Sequence, residues 1–156
     1  MNILIVNLVL STVIFFIAAK IYLFPHLHRL EPRTVLVPIL LLHMTRHLGL
    51  MFLAPGAIYA GMPTQFTYPA AFGDFLAAIL AAIALAAILM QSGAARVLVW
   101  IFNIEGTLDL ALATVLATVY DAPPFMGPAY WIPAYWVPAL LVTHYIVFVV
   151  LLKHWK

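Results

Sequence analysis

The sequence predicts an all-α fold: an integral membrane bundle of five transmembrane helices. Three observations lead there. Of 156 residues, 67% are apolar and 8% are charged, whereas soluble chains carry about 25% charge, so lipid rather than water must wet this surface. The apolar residues gather into five runs, each long enough to cross ~30 Å of hydrocarbon as a helix. These runs lack the polar–apolar alternation of barrel strands, and lipid admits only helices or closed barrels. Residues 1–156 therefore read as a single membrane domain, with little chain left over for a water-soluble one.

The first run is Ile3–Phe24. It has no basic n-region and is long for the apolar core of a secretory signal, so it reads as a helix rather than a cleaved leader. The second and third are Thr34–Ala54 and Pro69–Gln91. In the third, Ala78, Ala82 and Ala86 recur at spacing four beside Ala77 and Ala81. Such a row lets helix backbones approach closely, either inside one chain or across a homodimer. The fourth and fifth runs are Val97–Tyr120 and Ile132–Leu152. Pro138 removes a backbone hydrogen bond within the fifth and is expected to kink it above His144. The connections 55–69 and 122–138 are rich in Pro, Gly and aromatics. Trp131, Tyr135 and Trp136 in the second of these read as a headgroup-level belt or as a lip that contacts a ligand.

Orientation follows from the basic residues. Lys20, Arg29 and Arg33 lie in or beside the first connection, Arg96 in the third, and Lys153 and Lys156 on the tail. Positive charge marks the inner face, which puts the N-terminus outside and the C-terminus inside. The net charge of +2 is spent on topology, so nucleic acid is not an expected partner; the lipid bilayer is. The absence of cysteine removes disulfides, thiolate metal sites and thiol nucleophiles.

The chemically informative residues are those that ought not to be in lipid. His43, Arg46 and His47 fall in the second run, Asn103, Glu105 and Asp109 in the fourth, His144 in the fifth, and Asp74 near the expected outer end of the third. Ionisable groups at such depths cost several kcal/mol unless paired or hydrated. Counted from Ala54, Tyr120 and Ile132, His43, Asp109 and His144 all lie roughly 16–18 Å down at 1.5 Å per residue, so three helices bring them to one level. On straight α-helices, His43 and His47 share a face, as do Glu105 and Asp109. Asp74 reads either as an interfacial cap or as an outward continuation of the polar ladder, Asn103 points away from Glu105 and Asp109, and both stay at the margin of the site.

Histidine beside a carboxylate is the usual acid–base unit, which makes His43, Arg46, Glu105, Asp109 and His144 the candidate catalytic set, with His47 beside a ligand. A metal is not expected, since Arg46 repels a cation, although His43, Asp109 and His144 have the composition of a two-histidine, one-carboxylate site. Haem between His43 or His47 and His144 is a further arrangement that opposed histidines permit. No glycine-rich phosphate loop is present, and Ser11 and Ser92 lie at the wrong depth for a nucleophile.

The stretches RHLGLMFLAPG (46–56), YPAAFGDFLAA (68–78), FNIEGTLDL (102–110) and YWIPAYWVPALLVTH (130–144) resemble those of small bacterial polytopic membrane proteins with no assigned activity. That resemblance implies a bacterial inner-membrane setting. The expected function is an inner-membrane site that exchanges protons while binding or transporting a small molecule, with lipophilic ones among the candidates. A transporter of only five crossings would work as a dimer, with the alanine-rich third helix as its seam. An acid–base enzyme acting on a lipid, isoprenoid or quinone fits the same residues, as does a structural or haem- or metal-holding subunit of a larger complex.

Overall fold

In a computed structural model, residues 3–155 are described, and all their regular structure is helical. Lys156, counted above among the tail charges, lies outside the described residues. Helix α1 spans Ile3–Tyr22. Helix α2, Pro32–Met44, begins on a proline whose missing N–H is no loss in a first turn. It runs directly into a 3-10 helix, Thr45–Leu53. Helix α3 is Thr64–Leu89 and α4 is Ala95–Val119. Short 3-10 turns and a π-helical turn, Ile132–Trp136, then lead into α5, Val137–Lys153. Five helical stretches are long and apolar enough to cross a membrane, and exposed residues such as Ile14, Leu76, Leu108 and Leu152 give the outer surface the character that lipid requires.

Helix α3 is central, packing against α2, its 3-10 continuation and α4, while α5 packs on α1, α2 and α4. The alanine row explains this place. Ala77, Ala78, Ala81 and Ala84 are buried within the chain, Ala82 is half-buried and Ala86 exposed. The outward face of α3 carries Phe72, Phe75, Ile79 and Ile83 instead, so its small residues are used in packing inside the chain.

Two apolar clusters fill the bundle. One, around Leu36, Leu40, Val99 and Val147, lies toward the end that holds the 27–31 and 90–94 connections. The other, around Phe52, Phe66, Leu110 and Leu140, lies toward the opposite end. Of the buried polar residues, His43, Arg46, Asp74, Asn103 and His144 belong to neither and separate the two.

Helix α1 stands apart, with Leu4 its only buried residue. Two polar bonds pin it to the start of the fifth span. Asn7 Nδ2 donates to the Tyr130 hydroxyl at 3.2 Å, and Ser11 Oγ donates to the Ala134 carbonyl at 2.9 Å. Pro138 is the reason for the second bond, because it withholds the N–H that would meet that carbonyl in an α-helix. The expected kink thus takes the form of a π-turn whose freed acceptor is satisfied from α1. Ser11→Ala should destabilise the protein by about 1 kcal/mol and raise hydrogen–deuterium exchange selectively in α1 and residues 132–136. Thermal unfolding in detergent and exchange mass spectrometry read the two effects.

Candidate functional site

The site is built around Arg46, and local helix geometry determines how this side chain is presented. At the end of α2, Thr45 Oγ1 bonds back to the Leu42 carbonyl, a local alternative that competes with regular α-helical bonding. Beyond it the backbone follows the 3-10 pattern of three residues per turn. His43, Arg46, Gly49 and Phe52, spaced by three, consequently form one buried row. His47 is left exposed, with its Nδ1 against the Met44 carbonyl at 3.0 Å. The expectation that His43 and His47 share a face is therefore corrected: it assumed an α-helical spacing of four where the spacing is three.

Arg46 is 1% exposed and reaches three other helices. Its Nε donates to Asp74 Oδ1 on α3 at 2.7 Å, and its Nη2 to Asp109 Oδ2 on α4 at 2.5 Å. Its Nη1 lies 3.3 Å from the Gly106 carbonyl and 3.4 Å from His144 Nε2 on α5. The bonds beyond fix the His144 tautomer. Asn103 Nδ2 donates to the His144 carbonyl at 3.3 Å, so its Oδ1 accepts from His144 Nδ1–H at 2.8 Å. Nε2 is then the lone-pair nitrogen that faces Arg46, and every polar atom of this branch is satisfied.

His43 packs against this branch from α2, its ring centroid 4.3 Å from that of His144 and 5.0 Å from that of Phe102. Thr143 Oγ1 donates to carbonyls of its own helix, at Ala139 and Leu140, and so accepts from His43 Nε2–H at 2.9 Å. Among the described residues, His43 Nδ1 is left buried with no hydrogen-bond partner. Glu105 sits at the edge of the cluster, half-buried, with a buried Oε2 that likewise has no partner among them.

Glycines make these approaches possible. A Cβ on Gly106 would stand 2.6 Å from His144 Cε1 and 2.7 Å from Arg46 Nη1. Added to Gly49 or Gly73, it would run into the carboxyl-bearing side chains of Asp74 and Asp109 respectively. Each glycine presents bare backbone where a polar side chain from another span is seated.

Of the expected catalytic set, Arg46, Asp109 and His144 share one bonded network, His43 packs at a tilt against it and Glu105 borders it. Sequence reasoning left Asp74 and Asn103 at the margin of the site, whereas both hold members of this network. A polar residue inside an apolar run was their visible signal. Trp131 and Tyr135 are exposed, and Trp136 packs edge-on against Trp131; all three stand away from the cluster. The two cofactor alternatives meet geometric obstacles. No group of three His, Asp or Glu among the described residues is arranged to hold a metal ion, and Arg46 bonds to both Asp109 and His144 where a metal would. Imidazole rings packed at 4.3 Å leave no space for a porphyrin between His43 and His144, and His47 faces outward.

Breaking a buried ion pair from one side costs about 3–5 kcal/mol, whereas removing all its charges is often neutral. Arg46→Met should therefore destabilise by about that amount, and the triple variant R46M/D74N/D109N should recover at least half of the loss; denaturant unfolding in detergent gives both values. Gly106→Ala should cost about 1–3 kcal/mol through overpacking, read by the same unfolding.

Residues 3–152 match the family described as a domain of unknown function (DUF8737). No curated protein and no solved structure matches the chain. With nearly its whole length covered, this five-span helical chain belongs to the DUF8737 family.

Proposed function

We propose that this protein is a bacterial inner-membrane protein whose mid-membrane cluster exchanges protons as a small ligand binds or passes. The observation that carries this reading is an imbalance of charge. Lys20, Arg33, Arg96 and Lys153 stand at helix ends; away from those ends Arg46 is the one Lys or Arg set against three carboxylates, Asp74, Glu105 and Asp109. A low-dielectric interior tolerates net charge poorly, so the surplus has to be balanced by protons or by a cationic occupant. Proton content and ligand occupancy are then coupled through the same oxygens. The unpartnered Glu105 Oε2 and His43 Nδ1 supply further acceptor positions beside the ion pairs.

The same reading puts the N-terminus outside and the C-terminus inside. Its support is the gathering of Arg33, Gln91, Ser92 and Trp155 around one hollow at one end of the bundle, with Arg96 bonded to the Leu151 carbonyl there. A second reading, a fastener that fixes helix register, is favoured by the direct bonds from Arg46 to three helices.

Infrared difference spectra between acidic and alkaline buffer separate the two. Proton exchange predicts a protonated-carboxyl band in the wild type that is diminished in Asp109→Asn or Glu105→Gln, with helical content and elution unchanged. A band unaltered in folded Asp74→Asn, Glu105→Gln and Asp109→Asn proteins rejects it.

A further inference from the structure

The cluster has an approach from the lipid. A cavity of about 270 Å³ lies between α1, the 3-10 helix, α3, α4 and the start of α5, walled by Leu8, Phe52, Phe66, Leu110 and Val137, with Asp74 also in its lining. Its size is close to the lower end of the roughly 300–1,000 Å³ of small-molecule pockets. Helices α1 and α4 hardly touch, and the residues between which the cavity opens, Ile5 on α1 and Thr114 and Thr118 on α4, are exposed. The two threonine hydroxyls donate to carbonyls of their own helix, so they offer a ligand no free proton.

Asp74 is the one charged residue in this apolar lining. It is 7% exposed. Its Oδ1 accepts from Arg46, while its Oδ2 accepts no hydrogen bond among the described residues. A buried residue with one carboxylate oxygen that accepts no hydrogen bond among the described residues therefore contributes to the lining of this hollow.

Resting on the proton-exchange reading above, we infer that the occupant is a lipophilic primary ammonium, with its hydrocarbon chain in the α1/α4 crevice and its N–H groups donating to Asp74. Charge selects this class. The groups that face Asp74 and its partner Arg46 are Asp109 and Glu105 from α4, His144 from α5 and His43 from α2; α1 contributes none. A fatty acid would add to the negative surplus and a fatty alcohol would leave it unchanged, whereas an ammonium offsets one charge. Each bound ammonium then displaces one proton from the carboxylate set, with no bond made or broken in the ligand. The lining runs from Leu110 to Thr118 along α4, ~12 Å at 1.5 Å per residue, about the length of a ten-carbon chain.

The test uses the full chain in phosphatidylcholine nanodiscs, with decylammonium, decanol and decanoate as probes and empty nanodiscs as the reference for partitioning. Calorimetry should show saturable decylammonium binding at least about tenfold tighter than that of either other probe, with proton release in weakly buffered medium. Asp74→Asn should weaken it about tenfold or more. Ala113→Leu fills the cavity from α4, leaves every charged residue in place and should do the same, which keeps the test decisive if Asp74→Asn fails to fold. Decylammonium uptake no greater than that of empty discs, or decanol bound equally well, or binding unchanged in Ala113→Leu, overturns the inference. In each of those cases the infrared result with Asp109→Asn still stands or falls separately, so failure of the ligand class is distinct from failure of proton exchange.

Discussion

The fold is organised around one guanidinium in hydrocarbon. Arginine stays protonated under any ordinary condition, so a buried Arg46 needs a countercharge and acceptors for its donors wherever the chain puts it. The protein supplies them from three directions, Asp74 on α3, Asp109 and the Gly106 carbonyl on α4, and His144 on α5. Four of the five spans are thereby referenced to a single side chain. The fifth, α1, has no part in the arrangement, which is consistent with its single buried residue and its attachment through Asn7 and Ser11.

That arrangement depends on the change of helix type after Met44. A 3-10 helix rises ~2.0 Å per residue and stacks every third side chain. Its bonds are poorer than α-helical ones and runs beyond four residues are uncommon, so nine residues, Thr45–Leu53, call for compensation from outside the backbone. The row His43, Arg46, Gly49, Phe52 offers it: a tilted contact between the His43 and His144 rings, two ion pairs, a glycine against Asp74 and an aromatic contact between Phe52 and Phe66. Local backbone and tertiary contacts are mutually dependent here, since an α-helical continuation would rotate Gly49 and Phe52 out of line with Arg46.

The same change of helix type marks where the sequence was legible. Five spans were readable because hydropathy and length are properties of runs, insensitive to local geometry. That His43, Asp109 and His144 come together was readable from similar residue counts to the span ends, although the longer 3-10 rise makes the α-helical depth for His43 an underestimate. The side of the helix on which His47 lies was not, because nothing in TRHLGL declares a period of three. Asp74 was misplaced for a different reason. Pro69 suggests a helix start, yet α3 begins at Thr64, since a proline near the first turns is tolerated; Asp74 is correspondingly deeper than counting from Pro69 implies. Asn103 does point away from Glu105 and Asp109, but α5 lies on that side and brings His144 to it.

Whether such a cluster works or merely fastens turns on economy of charge. A register device needs one carboxylate to neutralise one guanidinium, and each further buried acid costs solvation free energy without adding specificity. Here Asp74 and Asp109 both bind Arg46, and Glu105 stands beside them with a buried oxygen that meets no donor. His43 adds a nitrogen in the same condition. These unpaired acceptors are no help to helix packing, which the alanines of α3 and the three seated glycines already provide. They are what a site needs if it has to receive a proton or a cation, and the hollow that reaches Asp74 from the lipid gives such an occupant an entrance on the apolar side. The entrance reaches one of the three acids that share a single guanidinium, a coincidence that a fastener gives no reason to expect.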